Sequence, residues 1–147
     1  MPALTGLGSP HWAPEARGLI TGLTRGTGRA HLVRAALEAA AYQTSDVLDA
    51  MAPRVELLRA DGGMCENAFL MQLQADVARI PVEVPAERES TALGAAALAG
   101  LGAGVWKTPV EIASLGPIER RYEPELPEDE AERLIAGWRE ALARTLL

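Results

Sequence analysis

The residues best placed for chemistry lie in Leu57–Asp76, which reads LLRADGGMCENAFLMQLQAD. An apolar run ends at Asp61 and two glycines, and an amphipathic pattern follows. Open α/β sheets bind ligands at the carboxyl ends of their strands, where this turn would lie. Glycine lets a backbone approach a ligand closely, and the free N–H groups of the next helix suit a phosphate. Gly62, Gly63 and the helix start could therefore hold a nucleotide, and the alternative is an ordinary strand-to-helix turn.

The other reactive side chains form weaker patterns. His11, His31 and Cys65 are the only histidines and cysteine, and their spacing matches no metal motif, so we predict no protein-held metal. Cys65 lies near a predicted helix start, where a thiol can become reactive, but a bystander role is the simpler interpretation. TRGTG at Thr24–Gly28 lacks the Lys-Ser/Thr pair of a phosphate loop and is interpreted as a plain turn. No nucleophile–base pattern occurs, and we assign no catalytic residue.

The elements upstream of the turn follow from hydrophobic periodicity. Leu19–Thr24 is predicted as a short strand, and Thr27 as the cap of the helix that follows a turn. Apolar residues recur at three- and four-residue steps from Ala30 to Met51, which predicts a long helix that Pro53 ends. Val55–Ala60 is the strand that leads into the Asp-Gly-Gly turn.

Downstream, a helix is predicted from Glu66 to Arg79 and a strand at Val82–Val84. Ser90 or Thr91 is expected to cap an alanine- and glycine-rich helix whose small residues suit close packing on a sheet. A last helix is predicted from Glu128 to Thr145, with acids at its start and arginines towards its end. Its apolar face, interpreted as core rather than as a partner groove, comprises Leu134, Ile135, Trp138 and Leu142.

The alternation of helices and strands predicts an α/β fold with short parallel strands covered by helices. The 147 residues, 48% hydrophobic, fit one domain, although so few short strands make a thin sheet and suggest part of something larger. Trp12, between two prolines, is expected to anchor the N-terminal loop by packing, and an interface contact is the alternative.

Charge and composition exclude several classes of protein. The net charge of −6 disfavours binding to nucleic acid or to an anionic membrane. A single cysteine permits no internal disulfide. The first residues do not resemble a signal peptide, and the longest uncharged stretch, Thr91–Trp106, is too short to span a bilayer. We therefore expect a cytoplasmic protein.

Several blocks of sequence resemble one known family in order and spacing. They are GLGSPHWAPEARG (Gly6–Gly18), GLTRGTGRAHLVRAALEAAAYQTSDVLDAM (Gly22–Met51), RADGGMCENAFLMQLQAD (Arg59–Asp76) and STALGAAALAGLGAGVW (Ser90–Trp106). These blocks resemble the C-terminal part of the FGGY carbohydrate kinases. The details favour the glycerol kinases of that family over the xylulose and gluconate kinases.

The resemblance implies an actin-like (ribonuclease H-like) ATPase domain, one of two that enclose a cleft. Such enzymes use ATP with Mg²⁺ and transfer the γ-phosphoryl group to glycerol, which gives sn-glycerol 3-phosphate. In the family, the second glycine of Asp-Gly-Gly and the asparagine four residues later contact the nucleotide. Those positions are Gly63 and Asn67 here, and Asp61 and Gly62 are expected to shape the same loop.

The chain departs from the family pattern in the Asp-Gly-Gly turn and in the part of the kinase that it covers. Met64, Cys65 and Glu66 stand where small residues are usual, which adds bulk and one negative charge. The glycerol-binding residues and the catalytic aspartate are expected in an N-terminal domain outside residues 1–147, so the isolated chain is expected to be inactive. A non-catalytic nucleotide-binding or oligomerisation module is the alternative. The expected associations are a homo-oligomer or pairing with the missing N-terminal part.

Overall fold

The computed structural model describes residues 1–87, 89–113 and 116–147. A coil of 28 residues precedes the first helix. The elements in chain order are α1 (Arg29–Asp49), β1 (Leu58–Arg59), a 3-10 turn (Gly63–Glu66), α2 (Ala68–Ala78), β2 (Val82–Pro85), α3 (Ser90–Gly102), α4 (Pro109–Ala113), β3 (Ile118–Tyr122) and α5 (Glu128–Thr145). The α/β class and the predicted long helices are confirmed, with boundaries within about two residues.

The sheet is mixed, with the strand order β1-β2-β3. β1 and β2 are parallel, as predicted, whereas β3 is antiparallel to β2. The sequence analysis missed β3, which lies in the stretch interpreted as a connector. Its sequence, IERRY, lacks the apolar alternation of a half-buried strand. β1 is also shorter than the predicted Val55–Ala60.

The two faces of the sheet differ in chemistry. Leu58, Val82 and Tyr122 are cross-strand neighbours and lie on the apolar face, where Val82 is fully buried. On the other face, Glu83 lies between Arg59 and Arg121 and accepts hydrogen bonds from both, at 3.1 and 2.7 Å. Burial by itself would raise the pKa of Glu83, but these hydrogen bonds outweigh it and hold that pKa below the ordinary glutamate value. Opposite charges thus connect the three strands.

Three helices build the core on the apolar face. α2 packs against β2 and β3, and both α1 and α5 pack against α2. The rings of Tyr42 and Trp138 join α1 to α5, with centroids 5.5 Å apart. The predicted apolar face of α5 is confirmed, because Trp138 and Leu142 are buried and Leu134 packs against the core.

The N-terminal coil departs from the predictions. Leu19–Thr24 forms no strand: Gly22 has a φ of +76°, and Ile20 and Leu23 are mostly exposed. Thr27 does not cap α1, because Gly28 is the N-cap, and the Thr27 hydroxyl instead accepts a hydrogen bond from the Thr24 amide at 2.9 Å.

Trp12 and α3 were also expected to pack, and they do not. Trp12 is 75% exposed because it has a φ of +49° in a turn that Gly8 O closes, with its side chain facing outwards. The N-cap of α3 is Glu89, not Ser90 or Thr91, and of the helix's residues only Ala97 is buried. The expected packing of α3 on the sheet is therefore wrong. The apolar face of the sheet is already occupied by the other helices.

Within residues 1–87, 89–113 and 116–147, no helix has the length and hydropathy needed to cross a bilayer.

Candidate functional site

The Asp-Gly-Gly turn begins where β1 ends, and β2 fixes its position. The Ala60 amide donates to the Glu83 carbonyl oxygen at 3.0 Å, which extends the parallel pairing to the first residue before the turn. Gly62 then adopts a φ of +86°, a left-handed value that is costly for residues with a Cβ. The backbone of the turn itself therefore explains the glycine at position 62.

Gly63 has no such internal explanation. Its φ is not left-handed, and no heavy atom lies within 4 Å of the point where a Cβ would stand. The described residues would therefore accommodate a larger side chain at this position. A glycine that neither conformation nor packing requires is typical of a place where a ligand or another segment approaches the backbone closely. The open side of Gly63 is consistent with the predicted nucleotide contact.

The residues after Gly63 form a single 3-10 turn, Gly63–Glu66. The Cys65 amide donates to Gly62 O at 3.1 Å, and the Asn67 amide donates to Met64 O at 3.1 Å. Cys65 is 3% exposed and belongs to the main core, which favours the structural interpretation of this thiol over a reactive one. Met64, in contrast, is mostly exposed at the tip of the turn.

Asn67 caps the N-terminus of α2, a role that the sequence analysis did not assign to it. Its Oδ1 accepts a hydrogen bond from the Leu70 amide at 3.2 Å. Because the oxygen is used in this way, the Nδ2 group is left as a donor. A ligand atom that meets Asn67 must therefore be an acceptor, such as a ring nitrogen, a ribose oxygen or a phosphate oxygen. The S/T/D/N preference at helix caps is the sequence signal that would have revealed this role.

Asp61 connects the turn to α3. Its Oδ2 accepts a hydrogen bond from the Ser90 hydroxyl at the first turn of that helix. This contact ties the exposed Asp61 carboxylate to the start of α3, which is consistent with the expected loop-shaping role of Asp61. The structure brings Asp61, Gly62, Gly63 and Asn67 together in one continuous turn between β1 and α2.

Beside Asn67 lies an open cleft that sequence reasoning missed. The cleft has a volume of about 690 Å³ and lies between the N-terminal half of α1 and the start of α2. Its lining is mainly apolar and includes Val33 and Phe69 together with Arg29. Arg34 stacks on the Phe69 ring at 4.5 Å and donates from Nε to Glu38 at 2.6 Å. The i, i+4 spacing of Arg34 and Glu38 was visible in the sequence, whereas the stacking was not.

A cluster of polar side chains lies at the C-terminal half of α1. Asp46 Oδ2 accepts hydrogen bonds from Trp138 Nε1 at 2.8 Å and from His11 Nε2 at 3.2 Å. These side chains border a cavity of about 230 Å³.

The hydroxyl of Tyr42, also on α1, is held in its neutral form. Burial raises the pKa of the Tyr42 hydroxyl, and the adjacent Glu38 raises it further. Tyr42 therefore stays protonated at neutral pH and donates to Glu38 at 3.2 Å.

The arrangement around Gly63 presents open backbone and the Asn67 Nδ2 donor, but it offers little chemistry of its own. In the part of the chain that the structure describes, no group of three or more His, Cys, Asp or Glu side chains is placed to hold a metal ion. Asp61, the one carboxylate of the Asp-Gly-Gly turn, is engaged with Ser90. The turn is therefore suited to binding and positioning rather than to proton transfer.

Comparison with known protein families gives a match over most of the chain. A model described as the FGGY family of carbohydrate kinases, C-terminal domain, matches residues 1–103. The chain is 55% identical over 150 residues to glycerol kinase 2 of Thermotoga maritima. This alignment covers 99% of the chain and 30% of the Thermotoga maritima protein. It is 54% identical over 149 residues to a glycerol kinase of Pseudomonas fluorescens strain SBW25, with the same two coverages.

Solved structures agree with these relatives. The structure of Plasmodium falciparum glycerol kinase with ADP superposes with a TM-score of 0.86 at 34% identity, over 99% of this chain and 30% of that one. A ligand-bound xylulose kinase from Lactobacillus acidophilus superposes with a TM-score of 0.81 at 28% identity, over 97% of this chain and 30% of that one. The chain thus spans about 30% of the length of the proteins it matches.

Proposed function

The chain belongs to the FGGY family of carbohydrate kinases, and we propose that it forms the nucleotide side of the cleft of a glycerol kinase. It has the α/β, actin-like (ribonuclease H-like) architecture of its structural neighbours. The proposed reaction transfers the γ-phosphoryl group of ATP to glycerol and gives sn-glycerol 3-phosphate. Residues 1–147 correspond in this proposal to a partial C-terminal domain, and the glycerol-binding and catalytic groups lie in the remaining part of the kinase fold.

The choice of glycerol over other acceptors rests on sequence identity. The curated relatives named above are glycerol kinases, and over the aligned residues they are 54–55% identical to nearly the whole of this chain. Among the solved structures, identity is 34% for the glycerol kinase and 28% for the xylulose kinase. Both comparisons favour glycerol as the acceptor over xylulose or gluconate.

The nucleotide assignment rests on Gly63, where neither the backbone conformation nor a neighbouring atom requires a glycine. In this proposal the Gly63 backbone approaches the nucleotide, and the free Nδ2 group of Asn67 donates to one of its acceptors. Gly62 supplies the left-handed bend, and Asp61 fixes the turn to α3. Met64, the next residue along the chain, is exposed at the tip of the same turn.

ATP is expected to bring its Mg²⁺ bound to the phosphates, because Mg²⁺ is usually held through substrate phosphate oxygens together with one or two carboxylates. The ion would neutralise charge on the phosphates during transfer. Phosphoryl transfer depends mainly on positioning and charge neutralisation, so a segment that only holds the nucleotide contributes directly to catalysis. ATP or ADP and glycerol are the proposed ligands of the complete enzyme. We also propose a cytoplasmic location and association with the rest of the kinase fold or with further copies.

A complete kinase is needed to test the assignment. We define the chimeric kinase as the Thermotoga maritima relative in which this chain replaces the matching 150 residues. Gly63→Val places a branched side chain where the nucleotide is proposed to approach, and we expect a rise of tenfold or more in the KM for ATP. Gly8→Val is the matched control, because Gly8 is equally free of neighbours within 4 Å and has no left-handed φ. An unchanged ATP affinity in Gly63→Val, with the fold intact by circular dichroism, would refute the assignment.

A further inference from the structure

Ser90 does not have the role that the sequence predicts for it. The sequence predicts that Ser90 or Thr91 caps α3, but Glu89 is the N-cap and Ser90 is the first residue of the helix. The exposed Ser90 hydroxyl donates instead to Oδ2 of Asp61, the residue that opens the Asp-Gly-Gly turn. A contact between residues 29 positions apart thus joins the start of α3 to the candidate nucleotide site.

The first half of the turn has little other support. β1, which leads into it, is two residues long and lies at the edge of the described sheet. Among the described residues, the backbone of Asp61, Gly62 and Gly63 forms no hydrogen bond with a strand or an α-helix. In the same part of the chain, no heavy atom lies within 4 Å of the points where a Cβ would stand on the two glycines. The Asp61 carboxylate therefore attaches this half of the turn to an element other than β1.

The chemistry of the contact between Asp61 and Ser90 suits a stable link. The donor is a hydroxyl on a short side chain, and the backbone of Ser90 lies in the first turn of a 13-residue helix. The acceptor is a carboxylate, and hydrogen bonds to ionised groups are stronger than those between neutral groups. The helix dipole also favours a carboxylate near the N-terminus of a helix. Ser90 therefore restrains the Asp61 side chain and, through it, the backbone that continues into Gly62.

We propose that Ser90 is a positioning residue for the nucleotide, because it acts through Asp61 to hold the backbone of Gly62 and Gly63 where the nucleotide approaches. The inference rests on the proposed function, since it assumes that the nucleotide contacts Gly63. The competing interpretation is that the bond only attaches α3, a helix in which Ala97 is the one buried residue. A bond with that role alone would affect stability and leave the affinity for ATP unchanged.

The KM for ATP of the chimeric kinase tests the inference directly. Ser90→Ala removes one hydrogen bond, and we expect that KM to rise about fivefold, while kcat and the KM for glycerol change by less than about twofold. Ser90→Thr keeps the hydroxyl and should restore the original KM. Thr108→Ala is the matched control, because the Thr108 hydroxyl donates to the Glu111 carboxylate at the start of α4. An unchanged KM for ATP in Ser90→Ala overturns the inference, and so does an equal rise in the control.

A double-mutant cycle shows whether Ser90 acts through Asp61. In a chimeric kinase that already carries Asp61→Ala, Ser90→Ala should raise the KM for ATP by less than about 1.5-fold, because the partner of the hydroxyl is absent. A rise of about fivefold in that background would show that the two residues act independently, and it overturns the inference.

Amide hydrogen exchange of the chimeric kinase without ATP gives a measure of the turn that does not depend on the nucleotide. The Cys65 amide donates to Gly62 O at 3.1 Å, so its exchange rate reports the order of the turn. Ser90→Ala should make this amide exchange several times faster, whereas Thr108→Ala should leave its rate unchanged. An unchanged rate in Ser90→Ala overturns the inference.

Gly63→Val separates this inference from the proposed function. If Gly63→Val raises the KM for ATP and Ser90→Ala does not, the proposed function stands and the positioning role of Ser90 is wrong. If neither substitution raises the KM for ATP in a folded chimeric kinase, the nucleotide assignment itself is refuted.

Discussion

Trp138 Nε1 donates a hydrogen bond to Asp46 Oδ2 at 2.8 Å, across 92 positions of the sequence. The same oxygen accepts from His11 Nε2 at 3.2 Å, so one carboxylate joins the N-terminal coil, α1 and α5. A carboxylate oxygen only accepts, which means that His11 carries its proton on Nε2 in this contact. The position of α5 in the fold therefore depends on a polar contact as well as on apolar packing.

Trp138→Ala should strongly destabilise the protein. Trp138 is 5% exposed, and its removal leaves a cavity beside Tyr42 and an Asp46 carboxylate with one donor fewer. The expected loss in the free energy of unfolding is about 3–5 kcal/mol, measured by denaturant titration. Trp12→Ala is the control, because Trp12 is 75% exposed, and should change that free energy by less than about 0.5 kcal/mol. Equal effects of the two substitutions would mean that α5 is peripheral to the core.

Two glycines of α3 should respond differently to the same substitution by alanine. A Cβ at Gly100 would overlap Cζ3 of the Trp106 ring, whereas a Cβ at Gly94 meets no atom within 4 Å. Gly94→Ala should stabilise α3 by about 0.5–1 kcal/mol, since alanine is the better helix former. Gly100→Ala should displace the Trp106 ring and shift its indole N–H signal in a ¹H–¹⁵N spectrum. An unmoved Trp106 signal in Gly100→Ala would contradict the close approach of the Trp106 ring to Gly100.

Glu83 should give the fold a dependence on acidic pH. Burial alone would raise its pKa, but the hydrogen bonds from Arg59 and Arg121 lower it below the unfolded value. The stabilisation is therefore complete above the ordinary glutamate pKa of about 4.3 and is lost as the pH falls through the lower folded value. Glu83→Gln should make the free energy of unfolding less dependent on pH between about pH 5 and pH 3. Glu132→Gln on the exposed side of α5 should leave that dependence unchanged.

Substitutions at Asn67 should separate its helix-capping role from its proposed ligand role. Asn67→Asp keeps the oxygen that accepts from Leu70 but replaces the Nδ2 donor by a negative charge. Stability should be retained, because acids are favourable at a helix N-terminus, while ATP affinity of the chimeric kinase should fall by tenfold or more. Asn67→Ala should reduce both the stability and the ATP affinity, with a loss of about 1 kcal/mol in the free energy of unfolding. If Asn67→Asp binds ATP normally, the asparagine is only a helix cap.

Periodicity was sufficient to predict the elements whose core-facing residues are close in sequence. α1, α2 and α5 follow from apolar spacing, and the parallel pair follows from their alternation with strands. β3 was missed because its central residues, Glu119, Arg120 and Arg121, are charged, and Arg121 is placed in the sheet by its pairing with Glu83. Leu19–Thr24 shows the converse, since its sequence favours a strand, but its backbone pairs with another segment of the described residues only at Leu19, which bonds to Met1.

The sequence predicts the conformation of the Asp-Gly-Gly turn but not the contacts that join it to other elements. A left-handed φ at one of two adjacent glycines is expected from residue type, and Gly62 has it. The contact between Asp61 and Ser90 and the stacking of Arg34 on Phe69 join different elements. Neither contact leaves a periodic signal in the sequence, so both contacts could be identified only from the three-dimensional structure.

Formation of glycerol 3-phosphate by the chimeric kinase tests the central claim most directly. The purified chimeric kinase, assayed with ATP, Mg²⁺ and glycerol, should turn over at about one per second or faster, in the ordinary enzyme range. The 147-residue chain alone should show no turnover, because the glycerol site and the catalytic groups are proposed to lie outside it. Mass spectrometry should exclude a contaminating host kinase. A folded chimeric kinase that binds ATP but fails with glycerol, or turnover by the chain alone, would contradict the account.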